Sequence, residues 1–497
     1  MTTYAVDFSD VQGLVRFGYR TLTEASFLLL RIRDVRAAAA WLASAPISNA
    51  VELAKPPQTA LQVAFTRDGL EALGLPPAVV SGFSDEFVSG MWGEENRSHR
   101  LGDIAANAPQ GWRWGGPDNV PHVLLMVYAQ DGQLQSWTDK IKGAAWETAF
   151  ELIASLATSD LEGVEPFGFT DGISQPTLDW ERQRTASDQL AYTNVSCLGE
   201  FLLGYPNEYG RYTDRPLLAN DSSNTMLPEA EDVPGMRDLG RNGTYLVLRQ
   251  LQQDVRGFWQ FVDRQANANP QAREQLAWSM VGRRRNGDPL MPLSSSPIPG
   301  VKAATPSNQF TYDSDVNGTR CPFGAHVRRA NPRNSDFPPG TGGFFSQLLH
   351  NLGFTHPGIR EDIMSSTRFH RVLRRGREYG PGLSPEQALQ PDYPDNAEHG
   401  IQFIGLNANI SRQFEFVQGA WIMSTKFNGM TGESDPLLGN RQPIPGCPVT
   451  DNFLLPQESG LPRRVTGVPQ FVTVRGGAYF FLPGIRALKF IAAQVRR

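Results

Sequence analysis

Short apolar runs followed by more polar, helix-forming stretches recur along the chain, and they predict strands that are each followed by a helix. Residues 27–32, Phe-Leu-Leu-Leu-Arg-Ile, are typical of a buried strand. Asp34 then precedes an Ala-rich stretch and is placed to cap the N-terminus of a helix. Residues 245–249, Tyr-Leu-Val-Leu-Arg, repeat the strand pattern, and Asp254 opens a second helical stretch. The same strand–helix unit is therefore expected twice.

Two further strands of the first half have counterparts later in the chain. Residues 61–65 are echoed by residues 401–404, and residues 122–128 by residues 478–482. The strand at 122–128 is followed by a predicted amphipathic helix near Gln133–Leu156, and the strand at 478–482 by a shorter helical tail. Because four echoes occur in the same order, they favour duplication of a β-α-β-type unit.

The length and local composition predict two domains. A chain of 497 residues is too long for one simple core. The periodic pattern loosens between residues 180 and 200, so we place the boundary at residue 190 and expect units at 1–190 and 191–497. Residues 283–320 are rich in Pro, Ser, Gly and Asn, which predicts a long surface excursion.

Charge and cysteine content exclude several classes of protein. The 46 basic and 51 acidic side chains give a net charge of −5, which argues against a nucleic-acid binder. The sequence has no run of about 18 apolar residues and no leader pattern, so we expect no membrane span and a cytoplasmic location. Cys197, Cys321 and Cys447 are far apart and odd in number, which favours free thiols in a reducing compartment.

The stretch from Cys321 to Arg333, Cys-Pro-Phe-Gly-Ala-His-Val-Arg-Arg-Ala-Asn-Pro-Arg, places one histidine on a short apolar run with arginines behind it. A neutral imidazole nitrogen is the usual protein ligand of haem iron, and arginines such as Arg333 suit the two haem propionates. The alternative is a core histidine without a ligand role. Cys321-Pro also leaves a haem-thiolate site open. No Cys-x-x-Cys-His motif occurs, so a haem would be held without thioether links.

Two other stretches carry candidate chemistry. Residues 167–176, Phe-Gly-Phe-Thr-Asp-Gly-Ile-Ser-Gln-Pro, place the carboxylate of Asp171 among aromatic and aliphatic neighbours, although Asp-Gly alone also indicates a turn. Residues 371–381 contain Arg374, Arg375 and Arg377, and a solvated basic turn is the simpler interpretation of that stretch alone.

In this order the three stretches resemble the dye-decolorising (DyP-type) peroxidase family of haem enzymes. Gly168, Asp171 and Gly172 match the family's GxxDG motif, His326 matches its proximal haem histidine, and Arg374 matches its distal arginine. Asp10-Val-Gln-Gly13 and Gly18-Tyr19-Arg20 also resemble the family's N-terminal signature. The matches extend over nearly the whole chain, and the long inserts resemble the larger branch of the family.

The resemblance implies an α+β fold made of two ferredoxin-like halves with antiparallel sheets. Non-covalent haem b would lie between sheet and helices. The 1–190 unit would carry the GxxDG motif, and the 191–497 unit would bind the haem.

The resemblance also assigns roles to residues. His326 would be the axial iron ligand, Asp171 the acid–base group and Arg374 its partner. Ile401 and Phe403 would line the distal pocket. Asp435 is the candidate acceptor for the second imidazole nitrogen, with Glu415 as runner-up and a surface acid as the alternative for both. Trp421 would be a surface electron-transfer residue, with core packing as its alternative. Arg375 and Arg377 are expected to be structural or solvated.

The implied function is reduction of hydrogen peroxide through a ferryl haem, followed by one-electron oxidation of dyes, phenolics or other aromatic reductants. The alternatives are a haem carrier or storage protein without turnover, a haem-thiolate enzyme using Cys321, and a chlorite-dismutase-like enzyme. We expect no nucleic-acid or membrane partner, and a homo-oligomer is left open.

Overall fold

The computed structural model describes residues 5–184, 192–334 and 366–495. Its centre is a nine-stranded sheet. The strands of this sheet are β1 Glu24–Ile32, β2 Thr59–Phe65, β3 Val123–Ala129, β4 Phe150–Ala157, β9 Thr244–Gln253, β10 Leu373–Arg374, β11 Arg377–Tyr379, β12 His399–Asn407 and β15 Val472–Leu482. Six short strands form separate pairs: β5 Thr177–Leu178 with β6 Val195–Ser196, β7 Leu217–Ala219 with β8 Met236–Asp238, and β13 Phe453–Leu455 with β14 Arg463–Val465.

The α-helices surround this sheet. In chain order they are α1 Leu14–Phe17, α2 Val35–Ser44, α3 Arg67–Ala72, α4 Pro77–Val80, α5 Asp85–Ser89, α6 Glu95–Leu101, α7 Leu134–Lys142, α8 Trp146–Ala149, α9 Val255–Gln265, α10 Pro270–Val281, α11 His326–Ala330, α12 Pro385–Leu389 and α13 Ile485–Gln494. Two π-helical segments follow β12, at Ser411–Glu415 and Val417–Ile422. Among the described residues, no helix is long and apolar enough to cross a membrane.

Each half of the sheet has the ferredoxin-like strand order, in which the first strand lies between the third and the fourth. In the first half the order is β2-β3-β1-β4, and all pairs are antiparallel. In the second half, β10 and β11 pair with β12, which pairs with β9, which pairs with β15. The predicted α+β fold with duplicated antiparallel halves is confirmed.

The two halves meet edge to edge and form one continuous sheet. The joint is the antiparallel pairing of β15 with β2, where Phe481 lies opposite Phe65. Alternate residues of β1 pack into different cores: Leu28 and Leu30 face one, and Phe27 and Leu29 face the other. Both faces of the sheet are therefore covered, which explains why the central strands are apolar at nearly every position.

The predicted cap at Asp34 is confirmed, because its side chain accepts the N–H of Ala37 at 2.8 Å. The helix predicted to open at Asp254 is confirmed too, and Asp254 caps it by accepting the N–H of Gly257 at 2.8 Å. The predicted helix near Gln133–Leu156 is wrong in its second part. The chain leaves α7 at Gly143, with φ +62°, and Phe150–Ala157 is strand β4. Its apolar residues suit either periodicity, and pairing with β1 decides the outcome.

Two of the four predicted echoes pair the wrong strands. Residues 401–404 belong to β12, which has the position of β3 in the first half and not that of β2. Residues 478–482 belong to β15, which has the position of β4. The true equivalents of β2 are β10 and β11, which are too short to give an apolar pattern.

The stretch 283–320 is largely irregular, but it is not only a surface excursion. Phe310 and Tyr312 are buried in a small cluster of their own together with Cys321. The predicted boundary at residue 190 lies outside the described residues, so the division at 190 and 191 stays a prediction.

Candidate active site

A tight hairpin built on the carboxylate of Glu165 positions Asp171. That carboxylate accepts the backbone N–H groups of Phe167 and Phe169, each at 3.0 Å, and the side-chain amide of Gln253 at 2.9 Å. Gly168 and Gly172 have φ angles of +95° and +76°, a region that glycine enters without strain. The hairpin therefore turns sharply on both sides of Asp171.

Helix α9 fixes the base of this hairpin. The ring of Phe167 lies 4.8 Å from that of Phe258, and the indole of Trp259 donates to the carbonyl of Phe167 at 3.1 Å. Phe169 is parallel to Trp259. Both phenylalanines are buried. The aromatic residues of the motif thus anchor the hairpin, and its polar residues are left to face the site.

Arg374 on β10 is held by the residues that follow Asp171. Its backbone N–H donates to Gln175 Oε1 at 3.0 Å, and its guanidinium donates to the carbonyl of Ser174 at 3.3 Å. Nη1 of Arg374 lies 3.2 Å from Oδ1 of Asp171. Two stretches 200 residues apart therefore meet as an ion pair.

The surroundings keep the carboxyl of Asp171 ionised. Burial among protein atoms opposes ionisation, but the charge of Arg374, the N–H of Gly172 and the charges of Arg20 and His326 outweigh it and lower the pKa of Asp171 below its ordinary value of 3.8. The side chains of Asp171 and Arg374 are 37% and 38% exposed. An ionised, accessible carboxylate can accept a proton from a bound molecule.

His326 begins helix α11 and is oriented by a buried carboxylate. Its Nδ1 lies 2.9 Å from Oδ2 of Asp435, which is fully buried. The other oxygen of Asp435 accepts the N–H groups of Leu437 and Leu438, each at 2.9 Å. Burial alone would lower the pKa of His326, but the charge and hydrogen bond of Asp435 raise it.

The contact with Asp435 leaves Nε2 of His326 available to a ligand. Among residues 5–184, 192–334 and 366–495, Nε2 makes no hydrogen bond, and the side chain is 26% exposed. A histidine that binds a metal through one nitrogen commonly donates the other N–H to a carboxylate. His326 also interacts electrostatically with Asp171 and Arg374, so it faces the ion pair from within the same region.

The charges near the site suit an anionic group. Arg283 is 4% exposed and donates to the carbonyls of Gly287 and Ser307. Burial, followed by the charges of Arg333 and Arg374, lowers the pKa of Arg283 to about 10. It pairs with no carboxylate in the described ranges. The site thus offers Nε2 of His326, the accessible pair Asp171 and Arg374, and buried positive charge. This combination fits a haem with two propionates.

The other predicted residues lie as follows. Arg333 is buried, stacks over Phe310 at 3.8 Å and donates to the carbonyls of Asn308 and Phe310. Ile401 and Phe403 lie on β12, opposite Leu251 and Arg249. Their roles, like those of the other site residues, stay predictions.

Glu415 does not contact His326. Its carboxylate accepts the hydroxyl of Tyr479 and pairs with Arg97, each at 2.9 Å. Asp435 therefore occupies the place for which both acids were candidates. The thiol of Cys321 is 1% exposed, and burial raises its pKa to about 12, which disfavours the thiolate that a haem-thiolate site needs.

Trp421 lies beneath the surface and not on it, because only 7% of the residue is exposed. Its ring is 5.3 Å from that of His370, 5.4 Å from Phe416 and 6.4 Å from Phe427. The indole thus belongs to a compact aromatic cluster.

The sequence alone did not identify three residues near the site, namely Glu165, Arg283 and Arg20, as part of it. Glu165 and Arg283 lie just outside or beyond the matched motifs, and Arg20 belongs to an N-terminal signature without an evident role.

Comparison with known proteins finds similarity to proteins named as peroxidases. No protein-family model matches the chain. It is 28% identical over 520 residues to peroxidase 2 of Mycetinis scorodonius, covering 97% of this chain and 87% of that protein. It is 29% identical over 446 residues to a multifunctional dye peroxidase of an Amycolatopsis species, covering 86% and 81% of the two chains.

Solved structures share the fold over the full length. A fungal DyP-type peroxidase from Auricularia auricula-judae superposes with a TM-score of 0.72 at 25% identity, covering 99% of this chain and 100% of that one. A DyP-type peroxidase of an Anabaena species superposes with a TM-score of 0.70 at 23% identity, covering 97% and 94%.

Proposed function

We propose that this chain, which is similar over most of its length to dye-decolorising peroxidases, belongs to that family, reduces hydrogen peroxide and withdraws single electrons from aromatic reductants. The observation that carries the proposal is the meeting of Asp171, Arg374 and His326 from three distant stretches. We extend the proposal to non-covalent haem b as the cofactor and to a cytoplasmic location.

His326 would hold the haem iron through Nε2. The positive charges of Arg283 and Arg333 would balance the negative charges of the two propionates. Haem bound there supplies the redox centre that amino-acid side chains lack. Asp435 keeps the proton on Nδ1 of His326, and so leaves the lone pair of Nε2 for the iron.

Asp171 would act as the acid–base group for hydrogen peroxide. As a carboxylate it takes the proton from one peroxide oxygen and returns it to the other, so that the second oxygen leaves as water. Arg374 keeps Asp171 ionised and stabilises negative charge on the oxygen that loses its proton. Ile401 and Phe403 would exclude water beside this pair.

Aromatic reductants are the proposed electron donors. A solved dye-decolorising peroxidase, 24% identical to this chain, binds 2,6-dimethoxyphenol, and phenols of this kind are the first donors to test. For donors too large to enter, we propose Trp421 as a relay within its aromatic cluster. Since 7% of Trp421 is exposed, such donors would dock over this cluster and not on the indole itself.

The test is a single-turnover experiment on haem-loaded protein. Mixing with hydrogen peroxide should change the haem absorption. A second mixing step with 2,6-dimethoxyphenol should then restore the starting spectrum in two one-electron steps. The Asp171→Asn protein, which should bind haem equally well, is the matched control and should react about 10²–10⁴-fold more slowly with peroxide. A haem carrier without turnover would bind haem but give the same slow reaction in both proteins.

A further inference from the structure

Residues 10–22, called the N-terminal segment below, are fixed to both halves of the protein. Nε2 of Gln12 donates to the carbonyls of Val63 and Pro483, each at 2.9 Å, and its Oε1 accepts the N–H of Val63 at 2.9 Å. The carboxylate of Asp10 is 1% exposed and accepts hydrogen bonds from the second half. The position of the segment is therefore set by the joint between the halves.

The segment is also bound to Arg375 and Arg377, which follow Arg374 in the chain. Arg375 donates to the carbonyls of Leu14 and Val15, each at 2.8 Å, and Arg377 donates to the carbonyl of Leu22 at 2.8 Å. Burial lowers the pKa of Arg375 to about 10, and none of the described carboxylates pairs with Arg375. The carbonyl dipoles of the segment are thus the main polar partners of this buried cation.

At its far end the segment reaches the hairpin of Asp171. Nη1 of Arg20 donates to the backbone carbonyl of Asp171 at 3.4 Å. A Cβ atom added at Gly172 would collide with the guanidinium of Arg20, and one at Gly163 would touch it. Arg20 therefore packs closely on the backbone of the hairpin although its side chain is exposed.

We propose that the N-terminal segment is a positioning element that holds the hairpin of Asp171 against strand β10, and that Arg20 is the positioning residue for Asp171. The inference rests on the proposed function, since it assigns Asp171 and Arg374 to one reaction. It also accounts for the Gly18-Tyr19-Arg20 signature, which the chemistry of the site leaves unexplained.

Arg20 has a second effect through its charge. Burial opposes ionisation of Asp171, and Arg374, Arg20 and His326 supply the positive charges that counter it. The carboxyl groups of Glu165 and Glu378 interact with Asp171 in the other direction, because a negative charge on either one repels that of Asp171. Loss of Arg20 should therefore both loosen the hairpin and raise the pKa of Asp171, whereas a merely structural surface residue would do neither.

The test uses full-length protein with the variants Arg20→Leu and Arg20→Lys. Arg36→Leu is the matched control, because Arg36 is an exposed arginine on α2 in the same half. Asp171→Asn reports on the proposed function itself. Two quantities are measured: amide hydrogen exchange of residues 163–172, and the pH dependence of the haem absorption change after mixing with peroxide.

We expect faster exchange of residues 163–172 in Arg20→Leu and an acidic limb moved to higher pH. At the pH values of that limb the rate should fall about three- to tenfold below the wild-type rate, allowing for the exposure of Arg20, and the difference should become smaller towards neutral pH. Arg20→Lys should restore the limb because it keeps the charge, and Arg36→Leu should match the wild type.

Unchanged exchange and an unchanged limb in Arg20→Leu would overturn the role of Arg20. If Asp171→Asn reacts with peroxide at the wild-type rate, the proposed function fails instead. The exchange measurement still decides whether the segment holds the hairpin in that case.

Discussion

Replacing Arg374 by leucine should move the acidic limb of the peroxide reaction to higher pH. Nη1 of Arg374 lies 3.2 Å from Oδ1 of Asp171. At this separation two unit charges attract by roughly 5 kcal/mol at an effective dielectric constant near 20, and by about 1 kcal/mol in bulk water. Since both side chains are more than a third exposed, screening reduces the first value, and we expect about 1–3 kcal/mol.

That energy corresponds to a rise of about one to two units in the pKa of Asp171. Arg20, His326 and the N–H of Gly172 still favour the carboxylate, so the rise is not the full effect of burial. The reaction needs ionised Asp171. The loss of rate in Arg374→Leu should therefore be about 10- to 100-fold greater in acid than near neutrality, where only the stabilisation of the developing negative charge is missing.

Stopped-flow absorption of the haem-loaded proteins after mixing with peroxide, from acid to neutral pH, measures this directly. Arg374→Lys is the control, because it keeps a positive charge without the fork of the guanidinium and should retain most of the low limb. An equal loss in Arg374→Leu at every pH would refute the electrostatic reasoning, and so would no loss at all.

Other measurements test the remaining assignments. His326→Ala should fold but lose most bound haem, whereas His99→Ala, at an exposed position, should keep it. The ratio of haem to protein absorbance measures this, and full haem occupancy in His326→Ala would exclude His326 as the haem ligand. Dye oxidation should be fastest in acid, because the reduction steps would consume protons and the lowered pKa of Asp171 keeps its carboxylate ionised there. An acidic limb near the ordinary histidine pKa of about 6.5 would contradict this. Burial raises the pKa of Glu433 from 4.5 to about 7, so the stability it contributes is fully present below pH 4.5 and is lost as pH rises to about 7, up to about 3 kcal/mol. Urea unfolding at both pH values should show a larger loss in the wild type than in Glu433→Gln, and equal losses would refute this role of Glu433.

Local signals account for the elements that were predicted well. An apolar run ending in a capping aspartate specified β1 with α2, and β9 with α9, because both the burial and the cap are encoded within about ten residues. Strand β4 was missed because its sequence is compatible with a helix until β1 is beside it. The short strands β10 and β11 are strands only because β12 offers an edge.

The candidate site divides in the same way. Asp171, His326 and Arg374 lie in stretches that resemble known motifs, so the sequence indicates them before any contact is known. Asp435 is 109 residues from His326, and only the fold brings the two together. Glu165 is beyond sequence reasoning for another reason, since its partners are backbone N–H groups, which every residue but proline carries.

The edge-to-edge joint between the halves has a consequence for synthesis of the chain. Strand β2 obtains its outer neighbour only when β15, at residues 472–482, has been made. At about 5–20 residues per second, the first-half sheet waits on the order of tens of seconds with an open apolar edge. Pairings between such distant segments also form slowly. We therefore expect nascent chains to depend on chaperones that cover β2, and haem to be acquired only after release from the ribosome.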